Sequence, residues 1–392
     1  MTNSQALKAV REMRGLDIGD VASTTSISLA RLNSFEVGEL EPSRKQVDRL
    51  SEIYGVPTYS LYAQGIPNLP PLPVDFRNAD LSAASISSKG MKTLWASEKI
   101  SYFTRQLIGG LNYQPVDFLS EVKKANSNKA RATKLRNVFD EWLGPRASKL
   151  NFSGPHDQQF LSSLRLFFEV QGGVININDA PADDYYGFFL DPEGGVPTIF
   201  VNRKIQSKKA QLFTLAHEFS HFLNDAPGIS NPYELKNNIE RSCNIFAAEF
   251  LAPMERFSRL AENIPIGIRK NISEYISAVS SQSLLSKHAA AIRLVEGGYI
   301  SQQDLRKWAR SWTKFPRIEK EEEKATSAAV SGGQPHATRI GVIGHLPIYL
   351  AYLGNTAGFI DKYDVINGIG LSETLQERAY NLAARRIEIA NS

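Results

Sequence analysis

Two histidines and a glutamate inside one helical pattern are the residues of this chain most suited to chemistry. They lie in residues 212–223, Leu-Phe-Thr-Leu-Ala-His-Glu-Phe-Ser-His-Phe-Leu. His217 and His221 are four residues apart, so a helix presents both imidazoles on one face. Such a pair can bind one metal ion, while Glu218 reaches a water molecule held by that ion. The spacing therefore predicts a metal site on a buried amphipathic helix.

A third protein ligand is expected from a second helical pattern, which covers residues 239–253. A catalytic zinc site has three protein ligands and keeps one position open. Glu240 and Asn244 share one face of this second helix. Glu240 is therefore predicted to complete the metal shell, and Asn244 to orient a ligand histidine through a hydrogen bond. Glu249 is the alternative third ligand. The predicted cofactor is Zn²⁺, although a site of two histidines and a glutamate also accepts Mn²⁺.

Five stretches of the chain form a series that includes both helical patterns. They are residues 160–174, 186–190, 198–202, 213–221 (Phe-Thr-Leu-Ala-His-Glu-Phe-Ser-His) and 240–253 (Glu-Arg-Ser-Cys-Asn-Ile-Phe-Ala-Ala-Glu-Phe-Leu-Ala-Pro). The series resembles the ImmA/IrrE family of zinc metallopeptidases. The resemblance implies that His217, His221 and Glu240 bind zinc and that Glu218 is the general base. It puts Glu249 at a less constrained position, so Glu240 is the preferred third ligand.

These roles predict hydrolysis of a peptide bond. Zinc lowers the pKa of a bound water to about 7 and polarises the peptide carbonyl. Glu218 would take the proton from the water and pass it to the leaving amine. An extended substrate is expected to pair with an edge strand of a small sheet. Tyr185 and Tyr186 are weaker candidates for stabilising the oxyanion, because aromatic side chains near strands usually pack in the core.

The first 62 residues contain short helical patterns separated by glycines. Residues 18–23 and 28–35 are joined by a short polar turn, which is the layout of a helix-turn-helix whose second helix enters the major groove. Similarity to the Cro/XRE repressor class lies in Leu7-Lys8-x-x-Arg11, Gly15-Leu16, Val21-Ala22, Phe35-Glu36-x-Gly38, Pro42-Ser43 and residues 50–57. The resemblance implies DNA binding. The residues predicted to contact DNA are Ser28, Leu29, Arg31, Asn33 and Ser34.

Two features oppose strong DNA binding. Ile18 occupies a position where this class usually has a glutamine, and it cannot anchor a phosphate. Residues 1–62 contain 7 Lys and Arg against 8 Asp and Glu, a net charge of −1. Since phosphate contacts supply most non-specific affinity, such a module binds DNA weakly unless it forms a homodimer. The alternative is a helical protein-docking module.

The composition limits the protein class. The chain has 392 residues, 42% hydrophobic and 22% charged, as in an ordinary globular protein of two or three domains. No apolar run approaches the about 20 residues of a membrane span, and no secretion signal is recognisable at the start. The single cysteine, Cys243, suits a reducing cytoplasm and is expected to pack in the core rather than bind zinc. A cytoplasmic protein without a membrane partner is predicted.

The predicted fold class is mainly α with a small antiparallel β-sheet. It comprises an N-terminal five-helix helix-turn-helix domain, a zincin-like α+β metallopeptidase core and a helical C-terminal region. Strands are expected at residues 174–177, 186–190 and 198–201. The predicted units are residues 1–64 (helix-turn-helix), 65–80 (proline-rich linker), 81–150 (helical connector), 151–260 (peptidase core), 261–317 (helical extension), 318–337 (flexible linker) and 338–392 (helical tail).

One charged cluster in the connector allows two interpretations. It consists of Lys123, Lys124, Lys129, Arg131, Lys134 and Arg136. The cluster either faces DNA or forms a solvated helix face, and the solvated face is favoured.

The function predicted from these observations is a zinc-dependent endopeptidase with a DNA-binding head. Its expected substrate is a protein partner, a transcriptional repressor or antitoxin in a stress- or phage-related system. The alternative is a DNA-binding regulator or antitoxin whose metal domain senses or binds a partner without proteolysis. A latent protease, whose connector or tail covers the cleft, is a third possibility.

Overall fold

The computed structural model describes residues 2–54, 56, 61–62, 86–205, 207–230, 238–312 and 334–392. These residues form a mainly helical protein with one four-stranded sheet. None of the described helices is both long and apolar enough to cross a membrane. The predicted linker of residues 65–80 lies outside the described residues, as do residues 318–333 of the second predicted linker.

The N-terminal segment folds into short helices around a small apolar core. Its helices are α1 (Ser4–Met13), α2 (Ile18–Thr25), α3 (Leu29–Val37) and α4 (Arg44–Tyr54). Asp17 and Ser28 cap α2 and α3, since their side chains accept hydrogen bonds from backbone N–H groups of the first turn. Ser26 adopts a left-handed conformation at the end of α2 and turns the chain toward α3. Four helices of the predicted five-helix domain lie among the described residues.

The rest of the chain is built from helices of very different lengths. They are α5 (Ser88–Gly110), α6 (Ser120–Lys123), α7 (Asn128–Leu143), α8 (Ala147–Leu150), α9 (His156–Glu169), α10 (Lys208–Leu223), α11 (Asn238–Leu251), α12 (Met254–Asn263), α13 (Ile266–Arg269), α14 (Ile272–Gln282), α15 (Lys287–Glu296), α16 (Gln302–Trp312), α17 (Pro335–Ile343), α18 (His345–Thr356), α19 (Lys362–Ile369) and α20 (Glu373–Asn391). Ser127 caps α7, since its side chain accepts a hydrogen bond from the N–H of Ala130.

The sheet contains strands β1 (Val174–Asn178), β2 (Gly187–Leu190), β3 (Thr198–Asn202) and β4 (Gly228–Ser230), in the order β1-β3-β2-β4. β2 pairs antiparallel with β3 and β4, but β1 and β3 are parallel. The sheet is therefore mixed, and the prediction of an antiparallel sheet was wrong in this respect. β3 lies between β1 and β2 in the sheet. The alternation of side chains along each strand does not determine which strands pair, because pairing depends on contacts between distant segments.

The two faces of β2 and β3 belong to two different apolar cores. Successive side chains on a strand point to opposite faces. Phe189, Ile199 and Val201 pack in the larger core with α9, α10 and α11. Their neighbours Phe188 and Phe200 pack in the second core. Helix α10, which carries the two histidines, therefore packs on one face of these strands, and other elements pack on the opposite face.

That opposite face is covered by α5, and the N-terminal helices pack on α5 through α4. Their apolar residues form one core with Phe188, Phe200 and other residues of the sheet. The guanidinium of Arg14, at the end of α1, lies 4.5 Å from the ring centroid of Trp95 on α5. Lys92 of α5 forms an ion pair with Glu52 of α4 at 3.2 Å. The N-terminal helices α1–α4, called the head below, are thus packed against α5.

Two arginines of the connector cluster contact the helices that carry the predicted site. Arg131 Nη1 donates to the carbonyl oxygen of Leu223 at 3.3 Å, at the end of α10. Arg136 Nη1 donates to the carbonyls of Phe250 and Leu251 at 3.0 and 3.2 Å, at the end of α11. Cations are favoured at helix C-termini, where carbonyls lack intrahelical partners. These two members of the cluster therefore contact the ends of α10 and α11, and neither of the two predicted roles describes them.

The C-terminal helices belong to the larger core. Helix α17 packs on β1, where the side-chain amide of Asn176 donates to the carbonyl of Ile343 at 3.0 Å. Glu169, at the end of α9, is fully buried. Its carboxylate accepts hydrogen bonds from Nε of Arg165 at 2.9 Å and from the backbone N–H of His345 at 2.8 Å. His345 Nδ1 also lies 2.8 Å from Glu169. His345, which has no metal-ligand spacing, thus has a structural role.

Candidate metal centre

Two buried helices bring the predicted ligands together. Helix α10 starts at the cap Ser207, whose side chain accepts from the N–H of Ala210, and runs across β2 and β3. Helix α11 packs directly on α10. The imidazoles of His217 and His221 and the carboxylate of Glu240 meet between the two helices, and all three residues have no solvent exposure. Burying polar groups in this way is unfavourable unless each has a partner.

The distances among these groups suit a single metal ion. The two Nε2 atoms of His217 and His221 are 3.2 Å apart. The carboxylate oxygens of Glu240 lie 3.1 Å from Nε2 of His217 and 3.3 Å from Nε2 of His221. Tetrahedral zinc with bonds of about 2.0–2.1 Å sets its ligand atoms about 3.3 Å apart. The three side chains therefore fit one ion without rearrangement of the two helices.

The charges around this point favour a cation. Burial raises the pKa of Glu240, but the hydrogen bonds from His217 and His221 outweigh it, so the pKa is below its ordinary value. Burial lowers the pKa of His217, but its hydrogen bond to Glu240 and the nearby carboxylates outweigh it, so the pKa is raised. For His221, burial prevails and the pKa is lowered. The carboxylates thus stabilise positive charge where the two imidazoles meet.

Cys243 and Glu249 are the competitors of Glu240. The thiol of Cys243 lies within 4.8 Å of ligand atoms of both histidines. Burial raises its pKa, however, which disfavours the thiolate that a metal needs. Glu249 forms a buried ion pair with Arg293, and its other oxygen accepts from the N–H of Met254 at 3.3 Å. The carboxylate of Glu249 is therefore already used elsewhere, and Glu240 is the better third ligand.

Asn244 lies beside the imidazole of the first histidine, His217. Its Oδ1 is 2.9 Å from Nδ1 of His217. This contact leaves the opposite nitrogen, Nε2, facing Glu240 and His221, and a partner of this kind sets the tautomer and orientation of a ligand histidine.

Glu218 lies beside the cluster and is also fully buried. The hydroxyl of Ser230 on β4 donates a short hydrogen bond to its Oε1. Its Oε2 is buried and has no hydrogen-bond partner among the described residues. Burial raises the pKa of Glu218 to about 8, although His217 and Ser230 act in the opposite direction. Such a carboxyl can both accept and return a proton near neutral pH.

Several residues that support the site were not found by sequence reasoning. Asn128 on α7 donates to Ser242 of α11 at 2.8 Å and to Ser220 of α10 at 3.3 Å. Ser230 contacts Glu218 from a strand of only three residues. Isolated serines and asparagines are common on any surface, so no spacing marks these positions.

The two tyrosines considered for the oxyanion differ in position. Tyr185 is buried in the core behind the sheet, and its hydroxyl donates to the carbonyl of Gly90 at 2.7 Å. The hydroxyl of Tyr185 is therefore already hydrogen-bonded, on the side of the sheet that faces away from α10. Tyr186 is only partly buried, and its suggested role stays a prediction.

The residues predicted to contact DNA lie at the surface of the head. Leu29, Arg31 and Asn33 are exposed along α3. Ser28 is exposed, but its side chain caps α3 by accepting from the N–H of Arg31 at 3.4 Å. Ser34 is partly buried and donates to Glu39 at 3.2 Å. The structure therefore leaves Leu29, Arg31 and Asn33 most accessible to a ligand.

Comparison with known protein families gives two matches. Residues 168–286 match the model of the IrrE N-terminal-like domain, a metallopeptidase family, and residues 4–65 match a model of the helix-turn-helix domain. The two resemblances inferred from sequence motifs, and their order along the chain, are thereby confirmed. The chain therefore carries a metallopeptidase-type domain of a metal-dependent family behind a helix-turn-helix domain. No curated protein and no solved structure matches the chain.

Proposed function

We propose that the protein is a zinc-dependent endopeptidase in which His217, His221 and Glu240 hold Zn²⁺ and Glu218 is the general base. The observation that carries this proposal is the meeting of three donor groups, at mutual distances of 3.1 to 3.3 Å, beside a buried carboxylate. A structural zinc site has four protein ligands and needs no base. Three donors and an adjacent carboxylate are instead the arrangement of a catalytic site.

The chain's own residues have separable tasks in this reaction. When bound, the zinc ion polarises the peptide carbonyl and acidifies water. Glu218 accepts the proton of the attacking water on its carboxylate and returns it to the nitrogen of the leaving amine. Asn244 keeps His217 in the orientation that presents Nε2. The side chains of His217, His221, Glu240 and Glu218 are all buried, which excludes bulk water and strengthens these interactions.

The substrate we propose is a protein bound near DNA, a repressor or antitoxin-type partner. Helix α3 is available for a DNA contact, which would bring the peptidase to proteins that occupy the same DNA. Among the described residues, β4 is an edge strand of the sheet and lies beside Glu218. An extended segment of the substrate can pair with such an edge through backbone hydrogen bonds.

The third ligand can be identified by metal binding alone. We expect Glu240→Ala to lose zinc, because it removes the only carboxylate that faces both imidazoles among the described residues. Cys243→Ser should retain zinc, since its thiol is unsuited to ionise. For each variant, the zinc content is measured after dialysis, and the affinity for zinc is measured by competition with a chelator. Retention of zinc by Glu240→Ala together with its loss in Cys243→Ser would overturn the assignment.

DNA binding by the head is the second part of the proposal. The charge of −1 over residues 1–62 leaves few phosphate contacts, so we expect weak affinity with a shallow dependence on salt. Arg31 is an exposed cation of α3, 5.8 Å above the ring of Phe35. We propose that Arg31 contacts a base or a phosphate.

Replacement of this arginine tests that proposal. A random duplex pool would first be enriched on the full chain, and the selected duplex then titrated by fluorescence anisotropy. We expect Arg31→Ala to weaken binding about 10-fold, which corresponds to about 1.4 kcal/mol at the low end of a base contact. Lys307→Ala, an exposed cation of α16, is the matched control. Equal affinity of Arg31→Ala and the wild type would favour the protein-docking alternative.

A latent protease is favoured over a constantly active one by one observation. His217, Glu218, His221 and Glu240 have no solvent exposure at all. Side chains buried in this way do not contact a polypeptide from solvent in this structure. A regulator that binds a partner without cleaving it shares this closed state, and only cleavage of a protein distinguishes the two.

A further inference from the structure

The carboxylate of Glu218 rests against two paired strands at one specific point. In the antiparallel pair of β2 and β4, Gly187 and Ser230 are directly opposite each other. Both contact or closely approach Oε1 of Glu218. The pair therefore forms a surface on which one oxygen of the carboxylate sits.

Gly187 contributes space. A Cβ atom at this position would lie 2.6 Å from Oε1 of Glu218 and 2.8 Å from the methyl group of Thr214. It would also lie 3.0 Å from the carbonyl oxygen of Phe200, which is a tight contact with backbone. Gly187 is not among the glycines with positive φ, so its backbone conformation does not require glycine. The close approach of the carboxylate is the physical reason for a glycine here.

Ser230 contributes a hydrogen bond from a firmly held strand. Its neighbour Ile229 is fully buried in the core on the opposite face of the sheet. Since successive side chains alternate between faces, anchoring Ile229 directs the hydroxyl of Ser230 toward α10. Its hydrogen bond takes Oε1, while Oε2 has no partner among the described residues.

We propose that Gly187 and Ser230 form a seat for the general base, which holds Oε1 of Glu218 and leaves Oε2 as the oxygen that exchanges the proton. This inference rests on the proposed function, because it assumes that Glu218 is the base. Ser230 and Gly187 are positioning residues, since they act through Glu218. A general base must be held close to its productive geometry, and a displacement of about 1 Å can cost about 100-fold in rate.

The seat is tested by crystal structures of the zinc-loaded full chain. We expect one conformation of the Glu218 carboxylate in the wild type and a displaced or divided one in Ser230→Ala and Gly187→Ala. Ser163→Ala is the matched control, because it removes another buried hydroxyl, which donates to Gln159 within α9. Gly109→Ala is the control for an added methyl group, since no atom lies within 4 Å of that Cβ.

Kinetics give an independent measurement on one quenched-fluorescent peptide, selected from a pool for cleavage by the wild type. We expect Ser230→Ala to lower kcat about 100-fold with KM and zinc content unchanged. If the Glu218 carboxylate keeps its position and kcat keeps its wild-type value in Ser230→Ala, this proposal is wrong. Gly187→Ala can fail to fold, and Ser230→Ala then decides. If wild type and Glu218→Gln both fail to cleave any peptide and produce no new termini in host lysate, the result counts against the proposed function, while the crystal structures still decide whether Gly187 and Ser230 hold Glu218.

Discussion

Glu218→Gln is expected to abolish detectable peptide cleavage while the purified protein still binds zinc. General bases contribute about 10²–10⁴-fold to rate, so kcat should fall by at least that factor. The reason lies in the two oxygens of the carboxylate. Oε1 accepts from Ser230, and Oε2 has no partner among the described residues. In the variant an amide N–H₂ replaces Oε2, and this group donates hydrogen bonds instead of accepting a proton.

The same geometry explains why the variant should remain folded. Glutamine has the shape of glutamate, and its amide oxygen can still accept from Ser230. Burial raises the pKa of Glu218 to about 8, so the site disfavours a negative charge there. A neutral amide avoids that cost. The proposed zinc ligands His217, His221 and Glu240 are unchanged.

Three measurements check this expectation. Zinc is quantified in wild type, Glu218→Gln and the control Glu377→Gln, an exposed glutamate of α20. The proteins are then incubated with host lysate, and new peptide termini are compared by mass spectrometry. Termini present with wild type and Glu377→Gln but absent with Glu218→Gln would identify the substrate. Full activity of a zinc-loaded Glu218→Gln would refute the assignment, and zinc without cleavage in the wild type would support the regulator.

The second large effect concerns Glu169, which is buried in the core between α9 and the C-terminal helices. We expect Glu169→Ala to lower the free energy of unfolding by about 3–5 kcal/mol, because removal of one partner leaves a buried charge uncompensated. Arg165 has only 4% of its side chain exposed and would lose the carboxylate that balances it. The backbone N–H of His345 would also lose its acceptor.

This cluster also makes stability depend on pH. Burial lowers the pKa of His345, and Arg386, with Nη1 3.0 Å from its Nε2, acts in the same direction. Burial raises the pKa of Glu169, but Arg165 and His345 outweigh it, so that pKa is lowered as well. A group whose pKa is lower in the folded state stabilises the protein above its unfolded pKa. We therefore expect stability to fall as pH decreases below 6.5 for His345 and below 4.5 for Glu169.

Chemical denaturation of wild type and Glu169→Ala from pH 8 to pH 4 would measure both effects. Glu121→Ala is the control, because Glu121 pairs with Lys124 and Lys134 at the surface, where ion pairs contribute little. We expect no measurable change for that variant. An equally small change for Glu169→Ala, or a stability independent of pH in the wild type, would contradict the structural role of the cluster.

The chemistry of the site was readable because it depends on short-range periodicity. His217 and His221 share a helix face by virtue of spacing alone, and Glu240 and Asn244 do so on the next helix. Family motifs supplied the order of the two domain types, which the family matches confirm. The first helical pattern, residues 212–223, lies inside α10, which begins four residues earlier at Lys208, and the second, residues 239–253, agrees with α11 to within two residues at each end.

Tertiary structure alone decided which distant residues support that chemistry. The parallel pairing of β1 with β3 and the docking of the head on α5 depend on contacts between segments far apart in sequence. Arg131 and Arg136 read as a basic surface, yet they contact the ends of α10 and α11. Gly187 and Ser230 meet Glu218 only because β4 pairs with β2 in one register. Local periodicity places a side chain on a face, whereas only the packed fold determines what that face meets.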